Sequence, residues 1–163
     1  EGVFKPLSVI ASYASQSDAG DNPTSYSADY LLLEGKGKVT DYFNWTLGYE
    51  VLGSDEGNAS FTTPLATGHK FQGFADKLLS TPLDGVQDIY AGAGTKIGPV
   101  KVALTYHDFQ AVEGNEKYGS EVDIVVVYPI TKKVKALVKY ANYQADEHAT
   151  DTQKIWLQAQ VSL

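Results

Sequence analysis

The chain has 163 residues, 20 acids against 13 bases, a net charge of -7, and neither Cys nor Met. The length suits one domain, 1–163, and the lack of Cys excludes a disulfide framework, a Cys-bearing zinc site and a thiol nucleophile. So acidic a chain lacks the basic face that phosphate neutralisation demands, which argues against nucleic acid as a partner. Glu1 stands where an initiator Met would, which reads as a processed or excised start. No apolar run approaches the ~18 residues of a membrane helix; the best is 124–127. With 11 Tyr, 15 Gly and only 6 Pro, the composition favours β structure.

Alternation with period two marks the strands in chain order. Leu7, Val9, Ala11 and Tyr13 share one face of the first. A weaker pattern over 28–39 sets Leu31, Leu33, Gly35, Gly37 and Val39 on the apolar side. Phe43, Trp45, Leu47, Tyr49 and Val51 alternate with Asn44, Thr46, Gly48 and Glu50. After a long connection, 53–85, a second weak strand over 87–97 carries Ile89, Ala91, Ala93 and Ile97. Val100, Val102, Leu104 and Tyr106 alternate with Lys101, Ala103, Thr105 and His107. Val122, Ile124, Val126, Tyr128 and Ile130 alternate with Glu121, Asp123, Val125, Val127 and Pro129. Val134, Ala136, Val138 and Tyr140 oppose Lys133, Lys135, Leu137, Lys139, Ala141 and Tyr143. Finally Ile155, Leu157, Ala159, Val161 and Leu163 oppose Lys154, Trp156, Gln158, Gln160 and Ser162. About eight strands of about a dozen residues each exceed the ~5–6 usual in water and match the ~9–11 tilted residues that cross a bilayer.

The connections alternate too. Short turns at 39–41, 98–99 and 131–132 contrast with long, polar loops at 15–26, 53–85, 110–118 and 144–151, the asymmetry of outer-membrane barrels. With the short turns at the bottom, the upward strands close their apolar faces with Tyr13, Tyr49, Tyr106 and Tyr140, while Phe43, Trp45 and Tyr128 fall near the other end. Two aromatic girdles around an aliphatic band suit a membrane interface. The second face carries more charge than a dry core accommodates, so it is expected to line a wet lumen while the aliphatic face meets lipid. The expected fold is all-β: an antiparallel, up-and-down transmembrane β-barrel with about eight strands in this chain, complete or part of a larger barrel.

On that lumen face Lys36, Lys38, Lys96, Lys101, Lys133 and Lys135 fall toward the short turns. Glu50, Asp88, Glu121 and Asp123 fall toward the long loops, with Glu34 between. Lys139 and Lys154 share the face, and these lysines and acids are the candidate pore lining. A basic ring favours anions; in a closed eight-strand barrel the same charges would pair into an internal plug. The loop 53–85 is too long for a passive hairpin. Within it His69, Phe71, Phe74, Asp76 and Lys77 form a candidate constriction, and Phe71, Phe74 and Leu78 at i, i+3, i+7 predict about two turns of amphipathic helix. The acids of the outer loops, such as Asp18 and Asp21, match no calcium-loop spacing, so no metal is expected and the loops read as solvated. No cofactor is expected. His69, His107 and His148 lie near carboxylates, but no G-x-S-x-G or H-E-x-x-H is present, and His107 and Asp108 point to opposite faces of a strand. Catalysis is not expected.

The segment 61–90 runs Phe61, then Thr-Thr-Pro64-Leu-Ala-Thr67-Gly-His69-Lys-Phe71-Gln-Gly73-Phe74-Ala-Asp76-Lys77-Leu78-Leu-Ser-Thr-Pro82, then Gly85, Asp88 and Tyr90. It resembles the carboxyl-terminal half of proteobacterial outer-membrane proteins of the alginate-export porin type, whose expected stretch has Trp at the position of Phe74 and Phe at that of Leu78. Tyr106-His107-Asp108-Phe109, Tyr118-Gly119-Ser120-Glu121 and Lys139-Tyr140-Ala141 match the same family. The resemblance covers essentially the whole chain, as the end of a longer protein. It implies residence in the bacterial outer membrane, contact with lipid and lipopolysaccharide, and passive passage of small hydrophilic solutes. All 13 bases are Lys, whereas bidentate carboxylate recognition favours Arg, so alginate itself is not implied. Two other readings stay open: a small plugged barrel with a structural or adhesion role, and a soluble lipocalin-like binder with the apolar face inward.

Overall fold

The computed structural model describes residues 7–64 and 71–162. Long strands are built at every segment that alternates, the two weakly patterned ones included: β1 (Ser8–Ser17), β2 (Ser27–Lys38), β3 (Phe43–Leu52), β6 (Val86–Ile97), β7 (Val100–Gln110), β8 (Lys117–Pro129), β9 (Val134–Ala145) and β10 (Thr152–Val161). A small hairpin, β4 (Ser54–Asp55) with β5 (Ala59–Ser60), opens the long connection. The long strands form one 8-stranded sheet in the order β1-β2-β3-β6-β7-β8-β9-β10, each antiparallel to the next in sequence. The sheet is not closed: β1 pairs with β2 and β10 with β9, and the two end strands do not pair with each other. Among the described residues the chain is therefore an open, up-and-down sheet and does not by itself close into an eight-strand ring.

Short turns are locally encoded. Thr40 Oγ1 accepts the Phe43 N–H and Thr131 Oγ1 accepts the Val134 N–H, so one hydroxyl closes each of two turns. Gly98, at φ +57°, supplies the left-handed residue of the third. Lys133 lies in the second of these turns, exposed, where its carbonyl accepts the Ser162 N–H; it is not on a strand, because the turn takes the residues before Val134.

Side chains sort by face as the alternation predicts. Leu104, Val138 and Leu157 are 44%, 39% and 80% exposed on the aliphatic side. Glu50, Asp88, Glu121 and Asp123 on the other side are buried. Such a distribution reverses that of a water-soluble sheet, which buries its aliphatic face. The buried apolar cluster sits instead over the polar face at the long-loop end, where Ala75 and Leu78 of the connection meet Val86, Phe109, Tyr118, Ala141 and Tyr143.

The tyrosines expected at one level step regularly across the sheet. Tyr13 lies on the ladder of Leu31 and Val51, one inward-outward repeat above Tyr49. Tyr49 shares a ladder with Ile89 and Asp108, one repeat above Tyr106. Tyr106 shares one with Val122 and Asn142, one repeat above Tyr140. The drop is always in one sense. With ~3.3 Å per residue and ~4.8 Å between strands, it corresponds to positions at one height on strands tilted by about 35°, within the range of barrels. Phe43 and Tyr128 step the same way at the other end, through Thr95, Val102 and Val126.

Candidate functional site: the polar face under its covering loop

Strand parity puts Tyr30 and Glu34 of β2, Glu50 of β3, Asp88 and Tyr90 of β6, His107 of β7 and Glu121 and Asp123 of β8 on one face. Lys139 of β9 and Lys154 of β10 share it. The segment 71–85 lies on these residues. It is not the expected helix. Gln72, Gly73 and Asp76 have φ of +51°, +78° and +59°, and left-handed residues at that spacing cannot continue a right-handed turn. The left-handed kinks aim the loop's own N–H groups at the sheet. Phe74 N–H donates to Asp123 Oδ2 at 3.0 Å, Ala75 N–H to Glu121 Oε1 at 2.7 Å, and Gln72 Nε2 to Glu50 Oε2 at 2.8 Å. An added Cβ on Gly73 would lie 2.5 Å from Glu121 Oε2 and would push that carboxylate off its place beneath the loop.

Of the remaining predicted constriction residues, Asp76 and the Phe74 ring reach strand lysines, and Lys77 meets the loop between β9 and β10. Asp76 accepts Lys154 Nζ at 2.9 Å, and the Lys139 ammonium lies 4.6 Å from the centre of the Phe74 ring. The Lys77 carbonyl lies 3.4 Å from His148 Nε2, and Phe71 flanks a cleft beside Gln72. His69 lies outside the described residues.

Beneath the loop the acids are linked across strands. Asp88 Oδ2 is 2.9 Å from His107 Nδ1, and Asp123 Oδ2 is 3.8 Å from His107 Nε2, so one imidazole bridges two carboxylates. Tyr30 donates to Glu50 at 2.6 Å and Tyr90 to Glu34 at 2.9 Å. Glu34 also pairs with Lys36 at 2.6 Å. Gly48 makes room for this: a Cβ there would run into the Tyr90 ring that crosses it. Glu121 Oε2 and Asp123 Oδ1 are buried without a hydrogen-bond partner, two acceptors left over where the loop is tightest.

The predicted pore-lining residues thus divide. Glu50, Asp88, Glu121 and Asp123 are on the polar face but shut away beneath the loop, where Glu50, Glu121 and Asp123 accept its donors and Asp88 faces His107. Lys36, Lys101 and Lys135 lie on the same face and are exposed. Lys96 and Lys101 are register partners, two like charges directly opposite each other. Together with Lys38 they line a cleft of about 340 Å³ at the short-turn end. A second cleft of about 420 Å³ runs between the loop and the sheet past Lys36, Gln72, Tyr90 and His107.

The outward set Tyr13, Phe43, Trp45, Tyr49, Tyr106, Tyr128 and Tyr140 stays on the aliphatic side. Tyr30, Tyr90, Gln72 and the Asp88–His107 pair were not singled out from the sequence. A tyrosine on the wet phase of a strand is the signal that was available, since a buried phenol needs a partner for its hydroxyl. His107 does not pair with Asp108, which instead accepts Gln110 Nε2 at 2.8 Å. No protein-family model, curated protein or solved structure matches the chain.

Proposed function

We propose that the sheet is a stretch of the wall of an outer-membrane β-barrel channel in a Gram-negative bacterium. It passes small hydrophilic solutes, anions in preference, through a path narrowed by loop 53–85. The observation that carries this reading is the reversed polarity: strands of 10 to 13 residues expose an aliphatic face while ionisable groups are gathered on the other. Lipid and lipopolysaccharide would meet the aliphatic face, and the stepped tyrosines would mark its upper boundary.

The covering loop supports a wall larger than eight strands. An eight-strand ring has room inside for side chains alone, and here the polar face bears a stretch of backbone as well. The unpaired N–H and C=O groups of β1 and β10 would each cost several kcal/mol in hydrocarbon. Further antiparallel strands of the same polarity are the simplest way to satisfy them.

Anion preference follows from what the loop hides. The four acids at its base are covered, whereas Lys36, Lys101 and Lys135 remain open to solvent. Planar-bilayer recordings test the reading. Ohmic steps with an anion-selective reversal potential are expected, and Lys135→Glu should move that potential toward cation selectivity. The belt of Glu34–Lys36 and Asp76–Lys154 ion pairs with the Asp88–His107 contact favours one other reading, a plugged barrel, and for that the recordings would be silent.

A further inference from the structure

A smaller cleft borders the acid belt at Glu50. It holds about 240 Å³ at the long-loop end of β2 and β3, and Tyr30, Phe61, Phe71 and Leu78 wall it, with Glu50 and Gln72 as its polar side. The Tyr30 and Phe61 rings stack with centroids 5.5 Å apart. Glu50 is 4% exposed, and both of its carboxylate oxygens accept from neutral donors: Tyr30 Oη at 2.6 Å and Gln72 Nε2 at 2.8 Å. Among the described residues no ion pair reaches it.

Hydrogen bonds from a phenol and an amide satisfy a carboxylate's lone pairs but bring no positive charge to it. Aromatic faces beside it attract the same kind of guest, because the ring quadrupole presents negative charge to a cation. A neutral sugar would stack on the rings yet gain nothing from the net charge. The volume admits a group the size of a quaternary ammonium and is small for an oligosaccharide. We propose that this cleft binds a small organic cation, with its charge toward Glu50 and its methyl or methylene groups on Tyr30 and Phe61. The chemistry is the same whether the sheet lines an open pore or a plugged barrel.

The full chain in detergent micelles is titrated calorimetrically with choline and with 3,3-dimethylbutanol, its uncharged carbon isostere. Choline should bind at least about tenfold more tightly than the isostere. Glu50→Gln should abolish that preference. Phe61→Leu, which leaves the carboxylate in place, should weaken choline by about tenfold and the isostere less. If Glu50→Gln does not fold, the Phe61→Leu comparison decides alone. Equal affinity for the two probes, choline affinity unchanged in the folded variants, or no choline binding at all would each overturn the proposal.

Discussion

Gly73 shows how much one residue carries. Its φ of +78° strains any other residue, and a notional Cβ 2.5 Å from Glu121 Oε2 would displace that carboxylate. Gly73→Ala is expected to lower stability by about 1–3 kcal/mol through backbone strain and displacement of the loop, read as a fall in the urea midpoint in micelles. Asp18 makes a local case at the opposite edge of the long-loop end. It accepts the Tyr26 N–H at 3.0 Å and the Ser25 hydroxyl at 3.1 Å, and these bonds hold its carboxyl below the usual carboxylate range. A lowered folded value means that the stabilisation is present above the unfolded value of ~3.9 and is lost as pH falls through the folded one. The Tyr26 amide resonance is therefore expected to shift on acidification below about pH 4, and Asp18→Asn should remove that titration.

At the scale of elements, the covering loop depends on strands far from it in sequence. Phe74 and Ala75 reach Asp123 and Glu121 across 49 and 46 residues. Glu121→Ala leaves the buried Ala75 N–H without an acceptor, at a cost of about 1–3 kcal/mol. Tryptic cleavage at Lys77 should then accelerate roughly tenfold, whereas Glu121→Gln, which keeps an acceptor oxygen, should cleave more slowly than Glu121→Ala. This loop is also where periodicity misleads. Phe71, Phe74 and Leu78 do have helical spacing, and Leu78 does reach the apolar cluster. The intervening left-handed residues turn the segment into an irregular cover instead. A residue spacing records which side chains are apolar, and it cannot register a carboxylate that arrives from another strand to take the backbone's N–H groups.

For the whole molecule, the decisive matter is which medium meets the aliphatic face. Leu104, 44% exposed near the middle of β7, gives the sharpest test. If that face meets hydrocarbon, Leu104→Arg should cost about 2–4 kcal/mol of folding free energy in lipid vesicles. A change near zero would instead put the face in water. The open edges belong to this scale as well: among the described residues the outer edges of β1 and β10 have no strand beside them, a feature of the whole sheet rather than of either strand.

The number of long strands, their direction and the division into an aliphatic and a polar face were written in the amino-acid sequence, whereas the β4–β5 hairpin was not. A strand turns its side chains alternately to opposite sides, so period two in hydropathy is the face pattern itself. The short turns were legible for the same local reason, since Thr40, Gly98 and Thr131 act on neighbours within three residues or shape their own φ. Only the tertiary structure decided that Glu50, Asp88, Glu121 and Asp123 lie covered rather than open, and that His107 faces Asp88 and Asp123. It alone showed that Tyr30 and Tyr90 join the belt and that, among the described residues, the sheet has β1 and β10 as its two edges. Those outcomes depend on cross-strand register and on the path of a loop whose partners are dozens of residues away, and pairing at that distance leaves no periodic trace in the chain.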